Sequence, residues 1–240
     1  MEWSAPGILL SAAPYGEGEA LAAIFTEAHG VFRGLARGGF SRARVATWQA
    51  GNLVEARWVA RLSDQLGSYA AELVHPAAAL AMADPLSLGV LSAACAVAEG
   101  ALPEREPQPR IFGGLLHLIA HLGDGLGGVA ALARWELGLL AELGYGLDLS
   151  ACAVTGETGG LAYVSPRTGR AVSAAAAGVW TERLLRLPPF LLGPGRASVV
   201  DLQDALRLTG HFLARDAFGA RNRALPVARL LLYDRVSSMV

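Results

Sequence analysis

Tyr15 to Arg44, YGEGEALAAIFTEAHGVFRGLARGGFSRAR, is the stretch from which the fold can be read. Ala22 to Thr26 and Val31 to Ala36 are short apolar runs of strand length on either side of Glu27 to Gly30, and His29-Gly30 supplies a residue able to take φ > 0. The pattern predicts a β-hairpin that runs into a Gly-rich cationic loop. Arg37, Arg42 and Arg44 follow Arg33, broken only by small residues and Phe40. From Arg33 to Arg61, six Arg (33, 37, 42, 44, 57 and 61) stand against one acid, Glu55, a local charge of about +5 in a chain whose formal net charge is −1. That asymmetry points to a polyanionic partner.

Upstream of the hairpin, Glu2 to Ala13 reads as a largely apolar strand and Pro14 to Gly18 as a turn. Downstream, Val45 to Gly51 leads to the clearest alternation in the chain. Val54, Ala56, Trp58, Ala60 and Leu62 share one face there, and Glu55, Arg57, Val59 and Arg61 the other. Trp58 is expected inside and the two Arg outside. A turn at Ser63 to Gly67 and a fifth strand, Ser68 to Val74, complete five strands in the first part of the chain, and that count fits a small Greek-key barrel of the OB type. From Pro76 onward Ala/Leu segments of helical length take over, predicting helices at 77–82, 85–99, 110–122, 126–143, 174–186, 198–216 and 226–236. The expected class is therefore α+β and multidomain. It comprises an OB-fold barrel over 1–78 and an all-α helical domain over 79–240, with a loop insertion at about 145–175. Pro103 to Pro109 is a polar, Pro-rich link. Ser198 with Asp201 has the form of an N-cap with a first-turn acid, and Gly144 that of a helix-ending glycine. Trp135 belongs with the apolar face of Val129, Leu132, Leu139, Leu140 and Leu143.

These residues carry a resemblance to the RecO family of bacterial DNA repair and recombination mediators. It rests on Gly7-Ile-Leu-Leu-Ser11 with Tyr15-Gly-Glu17, on Thr26-Glu-Ala-His-Gly30, and on Ala36-Arg-Gly-Gly39 with Ser41-Arg42. It returns at Trp135-Glu-Leu137, Leu143-Gly-Tyr-Gly146 and Cys152-Ala-Val-Thr-Gly156. The resemblance implies an N-terminal OB-fold, a helical C-terminal domain, and binding and annealing of single-stranded DNA. It also implies two partners, RecR and single-stranded-DNA-binding protein, the latter docking through its C-terminal tail.

Composition narrows the chemistry. With 53% hydrophobic content over 240 residues a buried core is assured. All 20 basic residues are Arg, which excludes a P-loop Lys and a Schiff-base Lys. The two Cys, Cys95 in an apolar run and Cys152 in a loop, make no disulfide framework. The apolar runs Pro85 to Ala98 and Ile111 to Gly123 fall short of the ~20 residues of a membrane helix. The expectation is a soluble, cytoplasmic, nucleoid-associated protein with no membrane partner.

Where many RecO relatives carry a four-cysteine zinc site, this chain has Cys152, Thr155, Val172 and Ala175. One thiolate is too few for tetrahedral zinc, so the loop is read as a degenerate zinc-finger-like element and no cofactor is expected. His117 and His121 share a helix face at i, i+4, but Leu118 occupies the place of a metalloprotease glutamate, so packing is the better reading. Gly123 to Gly128 satisfies G-x-G-x-x-G, but a helix-like segment precedes it where a dinucleotide fold needs a strand. No catalytic residues are expected.

The DNA-binding set is Arg33, Arg37, Phe40, Arg42, Arg44, Trp48, Arg57 and Arg61. Phe40 and Trp48 serve as faces for base stacking and Phe32 is assigned to packing. A second basic group, Arg207, Arg215, Arg221, Arg223, Arg229 and Arg235, lies near the C-terminus. Arg207, Arg215, Arg221 and Arg223 are expected at the partner-binding surface, where a hydrophobic groove rimmed by Arg would suit an acidic tail. Two other classes compete with a non-enzymatic mediator. One is an adaptor whose basic barrel binds an acidic protein, and the other is a nuclease, which would require clustered metal-binding carboxylates.

Overall fold

The structure is a computed structural model that describes residues 1–62 and 65–240. Strands β1 (Glu2–Tyr15), β2 (Glu19–Thr26), β3 (Gly30–Ala36), β4 (Leu53–Val59) and β5 (Gly67–His75) close into a barrel in the order β1-β2-β3-β5-β4, with β4 pairing back onto β1. All neighbours run antiparallel except β3 and β5. The parallel contact that completes the barrel is short, joining only Gly34–Ala36 of β3 to Gly67–Tyr69 of β5. The turn expected from Ser63 includes Ser63 and Asp64, which lie outside the described residues.

Alternation in β4 sends Val54, Ala56 and Trp58 into the core. Trp58 is fully buried and donates its indole N–H to the Arg33 carbonyl at 3.1 Å, and the Tyr69 hydroxyl donates to the Phe32 carbonyl at 3.1 Å. Trp3 stacks on Trp58 at 6.1 Å between ring centroids, and Phe32 meets Trp58 edge-on at 5.1 Å. Such pairs contribute about 0.5–1.5 kcal/mol each beyond their area. Gly67 lets β5 pass this cluster, since a Cβ there would sit 2.2 Å from the Trp58 ring. Leu62, expected inward, is instead exposed, because β4 ends at Val59 and its alternation ends with it.

The chain divides into two compact units, Met1–Gly123 and Asp124–Val240. Besides the barrel, the first holds α1 (Ala77–Ala81), α2 (Pro85–Ala101) and α3 (Pro109–Ala120). Asp84 caps α2 by accepting from the Leu86 and Ser87 amides, and Pro85 opens the helix where its missing N–H costs nothing. Helix α2 packs on β1 through Cys95, whose sulfur lies 4.0 Å from the Leu9 carbonyl, and α3 reaches β2 where Phe112 meets Phe25 edge-on at 5.3 Å. The Pro-rich link of 103–109 is also tied to the barrel. Val31 and Glu104 form a parallel bridge, and the Arg105 amide donates to the Val31 carbonyl at 2.8 Å. Gly30, at φ +72°, allows this approach; a Cβ would stand 2.1 Å from the Glu106 carbonyl oxygen.

The second unit contains α4 (Leu126–Glu142), a small sheet of β6 (Leu161–Val164), β7 (Ala171–Ser173) and β8 (Leu185–Arg186) in the order β7-β6-β8, then α5 (Ala174–Ala177), α6 (Val199–Phe212) and α7 (Val227–Ser237). Ser198 and Asp201 form a full capping box on α6, and Gly144 ends α4 at φ +85°. The helix expected over 174–186 is replaced by one short turn of helix. Gly178 at φ +47° breaks it, a 3-10 segment follows over Gly178–Arg183, and Leu185 and Arg186 pair with β6 as β8. This helical unit thus also contains one small three-stranded sheet, which an all-α reading does not include. Helix α6 runs on as a π-turn over Leu213–Phe218. Among the described residues no helix is long and apolar enough to cross a membrane.

Candidate nucleic-acid interface

Between β3 and β4 the basic loop is a succession of turns whose shape is fixed from beneath. Asn52 is buried at its base, donates its side-chain amide to the Ala46 and Thr47 carbonyls at 2.8 and 3.1 Å, and accepts from the Ala78 amide at 3.1 Å. Arg44 donates Nη1 to the Arg37 carbonyl at 3.0 Å, and Gly38 turns the chain at φ +64°. On this frame Arg37, Arg42 and Arg44 are exposed, and Phe40 shows 36% of its surface. The loop therefore presents three guanidiniums and one aromatic face to solvent without a large ordering cost.

The other expected residues are placed differently. Arg33 is half-buried and donates to Glu99 at 2.8 Å and Glu104 at 2.6 Å, so its charge is spent fastening the 99–104 segment to β3. Arg57 is exposed on β4 but bridges Glu2 at 2.6 Å, and this guanidinium holds the Glu2 carboxyl below its usual range. Arg61 lies exposed beyond the end of β4. Trp48, expected as a stacking face, is only 5% exposed and belongs to the barrel core with Tyr69, 6.4 Å away between centroids. Its place in a loop had suggested exposure, but the turns fold it inward as a plug. Of the expected set, the structure brings together Arg37, Phe40, Arg42 and Arg44.

A groove of about 490 Å³ opens beside this loop, lined by Arg44, Thr47, Trp48, Glu55, Arg57 and Glu72 among others. Sequence reasoning missed Glu72 and Asn52. Glu72 could have been found only by knowing the β4–β5 register, which sets it opposite Glu55. A larger groove of about 770 Å³ in the same unit is bounded by Val74, Leu80, Leu116 and Ile119 and has no Arg in its lining.

In the second unit Arg207, Arg221 and Arg223 lie on exposed surface. Arg215 pairs with Asp216 at 2.7 Å, donates to the Pro166 and Arg167 carbonyls and covers the Phe212 ring, so it braces the β6–β7 turn. Arg229, a member of the second basic group, is buried. At 1% exposure it donates Nε to Glu136 at 2.5 Å, and Nη2 to Glu136, the Leu206 carbonyl and Thr209 at 3.0, 2.8 and 3.1 Å. The Thr209 hydroxyl donates to the same Glu136 carboxylate.

The four positions of the family's zinc site do not fit the metal. Cys152 is buried in an apolar cluster with Tyr163, Val172 and Ala177, and Thr155 and Ala175 add no thiolate. Hydrogen bonds from Ser173 and Thr155 nonetheless lower the Cys152 thiol to about 6, with the Ser173 amide 3.3 Å from the sulfur, while burial raises Cys95 to about 12. The His117 and His121 rings lie 4.2 Å apart, and a His121 ring nitrogen is 2.8 Å from the His117 carbonyl. Among the described residues no group of three or more His, Cys, Asp or Glu could hold a metal ion. The Gly123 to Gly128 motif begins within the 3-10 turn Leu122–Asp124 that follows α3, so no strand leads into it.

Comparison with known proteins matches residues 1–77 to the family described as Recombination protein O N terminal, and residues 82–225 to that described as Recombination protein O C terminal. The chain is 60% identical over 242 residues to a DNA repair protein RecO of Granulibacter bethesdensis, covering 100% of this chain and 97% of the relative. It is 58% identical to proteins of the same name from Gluconacetobacter diazotrophicus, covering 100% and 96%, and from Acidiphilium cryptum, covering 99% and 96%.

Proposed function

The chain belongs to the RecO family of DNA repair proteins, and from that premise we propose that it is a non-enzymatic mediator that binds single-stranded DNA on the barrel loop and anneals complementary strands. The observation that carries this reading is the segregation of charge on the barrel. Arg33 and Arg57 are neutralised by local carboxylates, whereas Arg37, Arg42 and Arg44 stand exposed on a braced loop around the exposed face of Phe40. A cationic track beside an aromatic face is what a single strand requires, since phosphates take the charge and bases stack. Annealing follows when phosphate repulsion is screened while most base edges stay open. In this reading the protein works with RecR to load recombinase, and single-stranded-DNA-binding protein docks its tail on the second unit near Arg207, Arg221 and Arg223, with Arg215 holding that surface in shape.

The test is salt dependence. Each phosphate neutralised on a single strand contributes about −0.7 to the slope of log K against log salt, so the three loop Arg and Arg61 predict a slope of roughly −3. Replacing Arg37, Arg42 and Arg44 together by Ala should flatten it by about 2 and slow annealing. A triple variant that binds and anneals like the parent at every salt concentration would show that the loop is not the site. An adaptor for acidic protein would give no measurable oligonucleotide binding at all.

A further inference from the structure

The groove beside the basic loop is lined by two carboxylates as well as two guanidiniums. Glu55 on β4 stands directly opposite Glu72 on β5, both are exposed, and both line the groove of about 490 Å³ with Arg44, Thr47, Trp48 and Arg57. Like charges directly opposed across an antiparallel pair are destabilising, so this arrangement works against the sheet that carries it. The nearest cation on the strand, Arg57, is committed to Glu2. Among the described residues neither the Glu55 nor the Glu72 carboxylate has an ion-pair or side-chain hydrogen-bond partner. Trp48 and Tyr69 show only 5% and 6% of their surface here, so the groove offers hydrogen-bond acceptors and little stacking area.

We propose that this groove is a nucleobase subsite, in which Glu55 and Glu72 accept from the Watson–Crick edge of one unstacked base and favour guanine while Arg44 and its loop neighbours hold the flanking phosphates. The inference rests on the single-strand reading above and deepens it. A carboxylate has two oxygens able to accept a parallel pair of N–H bonds, and guanine presents N1–H and N2–H side by side. Cytosine and adenine offer one amino group beside a ring nitrogen whose lone pair faces the carboxylate. Thymine offers a single N3–H between two carbonyl oxygens, which the carboxylate repels. The same carboxylates exclude the backbone, so the strand lies with its phosphates on the loop and a base turned inward. One base held per protein leaves its neighbours open to pairing.

The experiment measures binding of the full-length protein to three labelled oligonucleotides at matched salt: all-dT, the same with isolated dG residues, and the same with inosine replacing each dG. The parent should bind the dG oligonucleotide about tenfold more tightly than all-dT, with inosine between them because it keeps N1–H and loses the 2-amino group. The Glu55→Gln/Glu72→Gln double variant should bring the dG-to-dT ratio close to one while binding all-dT at least as tightly as the parent, since two carboxylates that repel phosphates have been removed. Both positions are exposed, and a cooperative melting transition at or above that of the parent confirms that the variant is folded, since an opposed like-charge pair has been removed. A parent ratio of one overturns the subsite, as does a ratio that survives the double substitution. In either case the loop reading stands if the salt slope is intact. A parent that binds none of the three oligonucleotides overturns the single-strand reading and the subsite together.

Discussion

Arg229→Met should be among the most damaging single substitutions in the second unit. Methionine keeps most of the aliphatic stem and removes only the guanidinium, so the loss is electrostatic and not a matter of volume. Four donated hydrogen bonds disappear, two to Glu136, one to the Leu206 carbonyl and one to Thr209. Glu136 is 0% exposed, and without Arg229 its carboxylate keeps only the Thr209 hydroxyl as a partner in the apolar interior. Removing one partner of a buried pair costs about 3–5 kcal/mol. At about 4 °C per kcal/mol for a unit of this size, melting should fall by roughly 12–20 °C. Urea denaturation followed by circular dichroism measures the change directly. Adding Glu136→Leu to the Met variant should restore most of the loss, because two apolar groups in place of a buried pair are often neutral or stabilising. A loss below about 1 kcal/mol in the single variant would refute the assignment of this pair as a buried, desolvated contact.

Four further outcomes follow from other parts of the molecule. Phe40→Ala should weaken single-strand affinity by about 1–3 kcal/mol at an unchanged salt slope, because stacking releases no counterions; titration at several salt concentrations separates the two effects. Arg33→Gln should leave that slope unaltered and lower the stability of the first unit in urea, since its guanidinium holds Glu99 and Glu104. A flatter slope would return Arg33 to the DNA-binding set. The Cys152 thiol is lowered to about 6, so its stabilising effect is full above the unfolded value near 9 and is lost as pH falls through about 6. Denaturation midpoints of the parent should decline between pH 9 and 6 more steeply than those of Cys152→Ala, and parallel curves would refute this. Gly30→Ala should fail to fold or melt far below the parent, because its Cβ would sit 2.1 Å from the Glu106 carbonyl oxygen at a φ of +72°.

Local periodicity carried the five strands and the change to helices at Pro76, because alternation and Ala/Leu runs are properties of neighbouring residues. It did not carry the position of Trp48, since an aromatic residue in a run of turns has no period to assign it a face. Arg33 alternates with the buried Phe32 along β3, but its partners lie 66 and 71 residues away and no local pattern announces them. The buried pair does leave a trace in the sequence. Arg229 shares the i, i+3, i+7 stripe of Leu232 and Val236 on α7, and Glu136 interrupts the apolar face of Leu132, Ala133 and Leu140 on α4. A base and an acid each breaking an apolar helical stripe are candidates to pair with one another. In the candidate site, the loop cations were legible as charge, whereas the opposition of Glu55 and Glu72 depends on strand register.

The fastening of Arg33 to Glu99 and Glu104 also bears on how the protein is made. On the ribosome, β3 emerges well before either carboxylate, and at about 5–20 residues per second those partners are translated roughly 3–14 s later. Through that interval the nascent barrel has a half-buried cation without its counter-charges, and Val31 without the segment that bridges it. The first unit therefore completes this edge only when residues 99–106 leave the exit tunnel, so pauses in translation shortly after β5 would prolong the time for which β3 is open to chaperones and to pairing with other nascent chains.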